Sequence, residues 1–164
     1  MITKIELRKR AKAKLKDAEV LLNNSRYDGA VYLGGYVIEL ILKARTCRTL
    51  NWSEFPETNN EFQNYRSFKI HNLDVLLSLS GLETKIKSLH FIDWNNVNQW
   101  NPEMRYGVIG TISPIQAQEM LDSVKNLMLV IKFISQVADT FSEVMHLLIL
   151  ILLGALNDNF YFLR

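Results

Sequence analysis

Along the first 138 residues, apolar positions recur at steps of three and four. Leu7, Ala11, Leu15, Ala18 and Leu22 form one stripe among basic residues and predict an amphipathic helix that ends at Asn23-Asn24-Ser25. A second helix is predicted from about Asp28 to Arg45. Ala30, Leu33, Val37, Leu40, Ile41 and Ala44 make its main face, and Val31, Ile38 and Leu42 make other sides apolar too. Such a helix belongs near the middle of a bundle. It nevertheless keeps two adjacent glycines, Gly34 and Gly35, each costing roughly 1 kcal/mol against alanine. The expectation is a close approach by another helix or a subunit. The same helix holds one acid and one base a turn apart, Glu39 and Lys43.

From Thr46 to Ile70 the periodicity fails. The segment is polar and aromatic with Pro56 as a breaker, which predicts a long connection with a short helical turn around Glu57 to Tyr65. Asn72 to Leu79 reads as a short amphipathic helix stopped by Gly81. Leu82 to about Gln99 reads as another, with Ile86, Leu89, Ile92 or Asp93, and Val97 near helical spacing, Trp94 and Trp100 at its end, and Asn101-Pro102 stopping it. Ser113-Pro114-Ile115-Gln116 is a capping-box pattern. It opens a last helix whose stripe runs from Ala117 through Ile134 to about Ala138.

The tail differs. Val144 to Leu156 is a continuous apolar run broken only by His146. As a helix it would span about 20 Å, short of the roughly 30 Å hydrocarbon core of a bilayer. A buried helix or an oligomer contact is expected, not a membrane span. The pattern as a whole predicts an all-α, up-and-down bundle of four to five helices over residues 1–138, with an apolar, helical C-terminal extension over 139–164.

Composition adds three points. With 164 residues, 48% of them hydrophobic, one sizeable core is available. The single cysteine, Cys47, excludes an internal disulfide, and the N-terminus lacks the apolar core of a signal peptide, so a cytoplasmic location is expected. Charge is uneven: residues 1–16 hold seven basic residues against Glu6, an excess of +6 in a chain of net +2, leaving −4 for the rest. Arg8, Lys9, Lys12 and Lys16 are candidate nucleic-acid contacts, weighed against the plainer reading of a solvated helix face.

Four stretches then carry a resemblance. AEVLLNNSRYDGAVYLGGYVIELILKA (18–44), HNLDVLLSL (71–79), MRYG (104–107) and TISPIQAQEMLDSVKNLMLVIKFI (111–134) stand in the order and spacing of the HEPN domain, and the chain resembles its nucleotidyltransferase-associated branch. The resemblance implies a helical bundle, often homodimeric, whose relatives are commonly encoded beside or fused to minimal nucleotidyltransferases. Some relatives are ribonuclease toxins or defence proteins, and others are catalytically silent and bind nucleotides or nucleic acid. The apolar tail beyond Ala138 has no counterpart in that pattern.

The family's ribonucleases use an Arg-x4-6-His motif. Arginine clamps the phosphate, and histidine moves a proton near neutral pH to activate the ribose 2′-hydroxyl, with no metal. Arg66 and His71 have this spacing, with Ser67 following the arginine. They lie in the middle connection, however, whereas the family's motif lies near the start of a late helix. A structural His71, just before a helix, is the preferred reading. Glu39, Lys43, Arg105 and Tyr106 form a candidate ligand-binding or structural polar network, in which Arg105 is expected to pair with a phosphate or with Glu39. No glycine-rich phosphate loop, HExxH, catalytic carboxylate pair or nucleophile elbow is present, and no metal or cofactor is expected. The sequence therefore reads as a non-catalytic binding and dimerisation module for a nucleotide or RNA, working with a nucleotidyltransferase partner. A metal-independent endoribonuclease is the first alternative, and a structural oligomerisation protein the second.

Overall fold

α1, Lys4–Asn23, begins where Thr3 is extended and its Oγ1 accepts the amide of Glu6 at 3.1 Å. An N-cap of this kind stabilises a helix by about 1 kcal/mol. At the other end the Asn24 side chain donates to the Val20 carbonyl at 2.8 Å. Ser25, with φ 57°, turns the chain directly into α2, Tyr27–Thr49. The computed structural model describes residues 1–64 and 70–161, with side chains as far as Ile149 except those of residues 62, 64, 139, 142 and 147. It divides into two units, Met1–Ile131 and Lys132–Arg164.

α1 packs along α2 in the first unit. Leu7, Ala11 and Ala18 of the predicted stripe are buried, with Leu15 and Leu22 half-buried. α2 is buried on several sides, at Ala30, Val31, Val37, Ile38, Leu40, Ile41, Leu42 and Ala44, as its unbroken apolar character requires. It runs one turn beyond the predicted end, to Thr49. There Thr49 Oγ1 and Arg45 Nε both donate to the Ser80 carbonyl, at 2.7 and 3.3 Å.

The glycine pair is explained by side chains rather than by a neighbouring backbone. A Cβ added at Gly35 would fall inside the van der Waals envelope of Trp100, against Cγ and Cδ1 of its indole. Trp100 is buried in this notch, and its Nε1 donates to the Tyr32 carbonyl at 2.9 Å. Gly34 faces the last helix, where an added Cβ would meet Leu121 Cδ1 at 3.3 Å and Val124 Cγ2 at 3.5 Å.

The connection after α2 is less empty than its pattern suggests. β2, Glu54–Phe55, pairs antiparallel with β1, Ile2–Thr3, in the register Ile2 to Phe55 and Thr3 to Glu54. This buries Ile2 and Phe55. A 3₁₀ turn follows at Glu61–Asn64, inside the region predicted to turn. α3, Leu73–Leu79, is capped by Asn72 Oδ1, which accepts the Val75 amide at 3.0 Å. It is stopped at Gly81, with φ 70°.

The single helix expected over 82–99 is two helices. His90, at φ −132° and ψ 36°, ends α4, Glu83–Leu89, and precedes α5, Phe91–Asn98. The break shifts the helical phase, so Ile86, Trp94 and Val97 are buried while Leu89 and Ile92, assigned to the core by periodicity, are exposed. Asp74 holds the three short helices together by accepting Trp94 Nε1 at 3.2 Å, Asn98 Nδ2 at 2.7 Å and Lys87 Nζ at 3.0 Å.

The capping box forms as read: Ser113 N donates to Gln116 Oε1 at 2.9 Å, and Gln116 N to Ser113 Oγ at 3.3 Å. α6 then runs from Pro114 to Tyr161, so the apolar tail continues the last helix without a stop. The described residues thus form an all-α arrangement of six α-helices, one more than the upper expectation because of the break at His90. Among them no helix is long and apolar enough to cross a membrane.

The Trp100 notch makes a testable difference between adjacent glycines. Gly35→Ala should lose about 2 kcal/mol or more, because overpacking against a ring outweighs the roughly 1 kcal/mol gained in helix propensity. Gly34→Ala, meeting only aliphatic ends that can shift, should stay within about 1 kcal/mol of wild type. Urea unfolding monitored by far-UV circular dichroism decides; equal effects at the two positions would reject the notch.

Candidate functional site

Tyr36, Glu39 and Lys43 follow one another at three and four residues, so they share one face of α2. This face meets Leu7 and Arg10 of α1, Phe55 of β2 and His71 just ahead of α3. Together they line a cavity of about 190 Å³. Here, of the two charges that stood out in the sequence, Glu39 is buried and Lys43 is half-buried. The Glu39 carboxylate is 2% exposed and Lys43 is 14% exposed.

Lys43 Nζ donates to Glu39 Oε1 at 2.5 Å, and His71 Nδ1 lies 3.1 Å from the same oxygen. A carboxylate only accepts, so Nδ1 carries the proton of this contact and Nε2 is left as the second ring nitrogen. The imidazole is 52% exposed. Glu39 thus fixes the orientation and tautomer of a histidine that solvent can reach. Its other oxygen, Oε2, is buried without a hydrogen-bond partner among the described residues. Leaving a buried acceptor unmet costs about 1–3 kcal/mol. Lys43 also sits over the Phe55 ring, 5.5 Å from its centroid, a cation–π contact that helps to hold an ammonium out of water.

At the open side Arg10 Nη1 donates to Glu57 Oε1 at 2.5 Å, and that contact raises the guanidinium's pKa. Burial, and then the charge of Glu39, pushes the Tyr36 phenol up. The cavity therefore presents cationic N–H donors beside an acceptor oxygen that lacks a donor. Each of its cations is already paired with a carboxylate, Lys43 with Glu39 and Arg10 with Glu57 and Glu6.

Of the residues singled out in the sequence, Glu39, Lys43 and His71 come together here. Arg66 lies outside the described residues. The expected pairing of Arg105 with Glu39 is not made: among the described residues Glu39 pairs with Lys43 and His71. Arg105 belongs instead to a 3₁₀ turn, Pro102–Tyr106, where its guanidinium stands 4.8 Å from the Tyr106 ring centroid. The short turn places the two neighbours against each other, and Tyr106, then Tyr32, raises the arginine's pKa. Arg8, Lys9, Lys12 and Lys16 are exposed on α1. Arg10, Tyr36 and Glu57 were missed. The first two had a signal in helical phase, Arg10 three residues after Leu7 and Tyr36 three before Glu39; Glu57 had none.

The loop after Tyr106 has its own anchor. Asp28, in the first turn of α2, accepts the Gly110 amide at 2.7 Å and the Ile112 amide at 3.2 Å. These bonds, Gly110's first, hold its pKa below the ordinary 3.8. Among the described residues no group of three or more metal-type ligands gathers.

The site is thus a polar cluster inside a helical hairpin, part of an all-α bundle. A family model, the HEPN domain, matches residues 5–60, which span nearly all of α1, all of α2, and the connection through β2. No curated protein and no solved structure is significantly similar to the chain.

The ion pair predicts a thermodynamic cycle. Glu39→Ala should destabilise by about 3 kcal/mol, because it strands a buried ammonium. The double variant Glu39→Leu/Lys43→Met should recover most of that loss, since an apolar pair of similar volume removes both charges. Chemical denaturation measures both; additive losses would mean that the two charges do not depend on each other.

Proposed function

We propose that the chain is a HEPN-type binding and dimerisation module for a nucleotide or RNA, acting with a separate nucleotidyltransferase in a toxin–antitoxin or defence-type system. The observation that carries the binding half is the cavity lined by Lys43, His71 and Arg10 together with Glu39, whose Oε2 has no hydrogen-bond partner among the described residues. Lysine and arginine donate to phosphate oxygens. The unpartnered Glu39 oxygen accepts from a ribose-type hydroxyl. The exposed Arg8, Lys9, Lys12 and Lys16 add a sequence-independent attraction for a polyanion along α1. The nucleotidyltransferase partner rests on the resemblance of residues 18–44 and 71–79 to the associated branch, and any transfer chemistry would be that partner's.

A second reading, a metal-independent ribonuclease, is favoured by one specific contact. Glu39 holds His71 in the tautomer whose Nε2 can take a proton, the arrangement a general base needs. Arg66 would then supply the phosphate clamp.

Fluorescence anisotropy with a labelled single-stranded RNA, in EDTA, tests both. Wild type should bind with a steep salt dependence, and replacing Arg8, Lys9, Lys12 and Lys16 by glutamine should flatten the log K against log salt slope by about 0.7 per lost phosphate contact. Arg10→Gln should weaken binding several-fold. Absence of binding to RNA and to mononucleotides at low salt would remove the first reading. RNA left intact by wild type, or cleaved equally by His71→Ala, would remove the second.

The dimerisation half is supported by the second unit, taken by itself. Phe133, Val137, Phe141, Val144 and Leu148 recur at four, four, three and four residues and are exposed in the single chain. Such a seam pairs with a second helix. Deleting 139–164 should lower the molar mass found by sedimentation equilibrium toward that of one chain; an unchanged mass would end the tail-driven reading.

A further inference from the structure

The loop between the Pro102–Tyr106 turn and α6 carries apolar side chains that the core does not use. Tyr106, Val108, Ile109 and, just inside α6, Ile115 are each at least 71% exposed. Val108 and Ile109 head a tight turn. Gly110 follows at φ 82°, and Thr111 Oγ1 donates to the Val108 carbonyl at 3.2 Å. A Cβ added at Gly110 would meet nothing within 4 Å, so the turn stands clear of the chain around it. Large apolar side chains gathered in so short an exposed stretch mark a contact surface.

The tip is also held in shape. Asp28 accepts the Gly110 and Ile112 amides, and Gly107 N donates to the Met104 carbonyl at 3.1 Å. With the Thr111 bond, these satisfy backbone groups of the loop from within the protein, as a low-dielectric environment requires. Two guanidiniums flank the tip. Arg26 is exposed, and its side chain makes no hydrogen bond or ion pair with the described residues. It lines one cleft of about 690 Å³ together with Ile109 and Pro114, so the cation and the tip share one end of the molecule. Arg105 stacks on Tyr106 and pairs with no carboxylate among the described residues. Two acids lie near: Asp28, with both oxygens engaged by loop donors, and the exposed Glu103.

From this arrangement we propose that the loop tip docks on a phospholipid surface, with Val108 and Ile109 entering the boundary between headgroups and acyl chains. A convex apolar turn offers no groove to a peptide or a ring. Its backbone is bonded internally, so it gives a strand of another protein no ladder to join. A headgroup layer does receive such a tip. Aliphatic side chains reach the acyl boundary, a tyrosine sits at the interface, and arginines turn their charge to the lipid phosphates. The contact is with one face of a bilayer and crosses nothing. It uses neither the Glu39 cavity nor the RNA reading.

Co-sedimentation of the full chain with vesicles of phosphatidylcholine and phosphatidylglycerol tests it. Wild type should partition onto the vesicles. Val108→Ser/Ile109→Ser, at two exposed positions outside the core, should lower the partition coefficient at least about tenfold, because binding scales with buried apolar area. Arg26→Gln/Arg105→Gln should lower it several-fold at low salt and little at high salt. Replacing Arg8, Lys9, Lys12 and Lys16 by glutamine should leave the dependence on Val108 and Ile109 in place, which separates the tip from the basic face of α1. An environment-sensitive fluorophore on Ile109→Cys should shift to the blue on vesicles; the native Cys47 is buried. Three results overturn the proposal: no vesicle binding, which would turn the tip toward a protein partner; binding unchanged in the serine variant, carried then by α1 or the apolar tail; or a fluorophore that stays in water.

Discussion

The contact that joins the short-helix layer to the central helix is the seating of the Trp100 indole against the bare backbone of Gly35. An indole buries a large apolar area, and its N–H must find an acceptor. Here the absence of one methyl group lets the ring reach α2, and the Tyr32 carbonyl satisfies its nitrogen. The end of α5 is thereby fixed to the middle of the central helix. Gly34, one residue earlier, turns its open side to α6 instead, against Leu121 and Val124. Two adjacent glycines thus receive two different neighbours about a third of a turn apart, and α2 becomes the axis on which both are indexed.

The same helix carries the electrostatic exception of the fold. Burying a glutamate is unfavourable unless its charge is matched, and Lys43, one turn later, matches it at close range. That pair alone does not explain the site, because an exposed pair of this spacing stabilises by only about 0.2–0.5 kcal/mol. His71 joins from a distant part of the chain and Phe55 roofs the lysine, so the cluster ties two other segments to α2. Uniform apolar packing would be the simpler solution for stability.

Much of the helical frame was legible because its signals are local. The Ser113–Gln116 capping box, the stop at Gly81 and the stripe of α1 each depend on residues within one or two turns. The break at His90 was not legible: no proline or glycine marks it, and the apolar spacing runs through it as if one helix continued. The two-residue pairing of Ile2 with Phe55 is too short for any pattern to announce. Within the site, the Glu39–Lys43 pair was visible as an anomaly in an apolar run. Its third member, His71, could be seen only as a residue preceding a helix. The assignment of Arg105 to Glu39 failed because adjacency in a 3₁₀ turn satisfied the guanidinium locally with Tyr106.

The β1–β2 pairing has a consequence for the order of folding. It closes the N-terminus onto residue 55, so α1, α2 and the Phe55 wall can assemble from the first third of the chain, with short loops to close. The Gly35 notch, by contrast, stays open until the chain has grown to Trp100 and α5 can dock. During synthesis the hairpin emerges before Trp100, with a notch at Gly35 that the indole later fills.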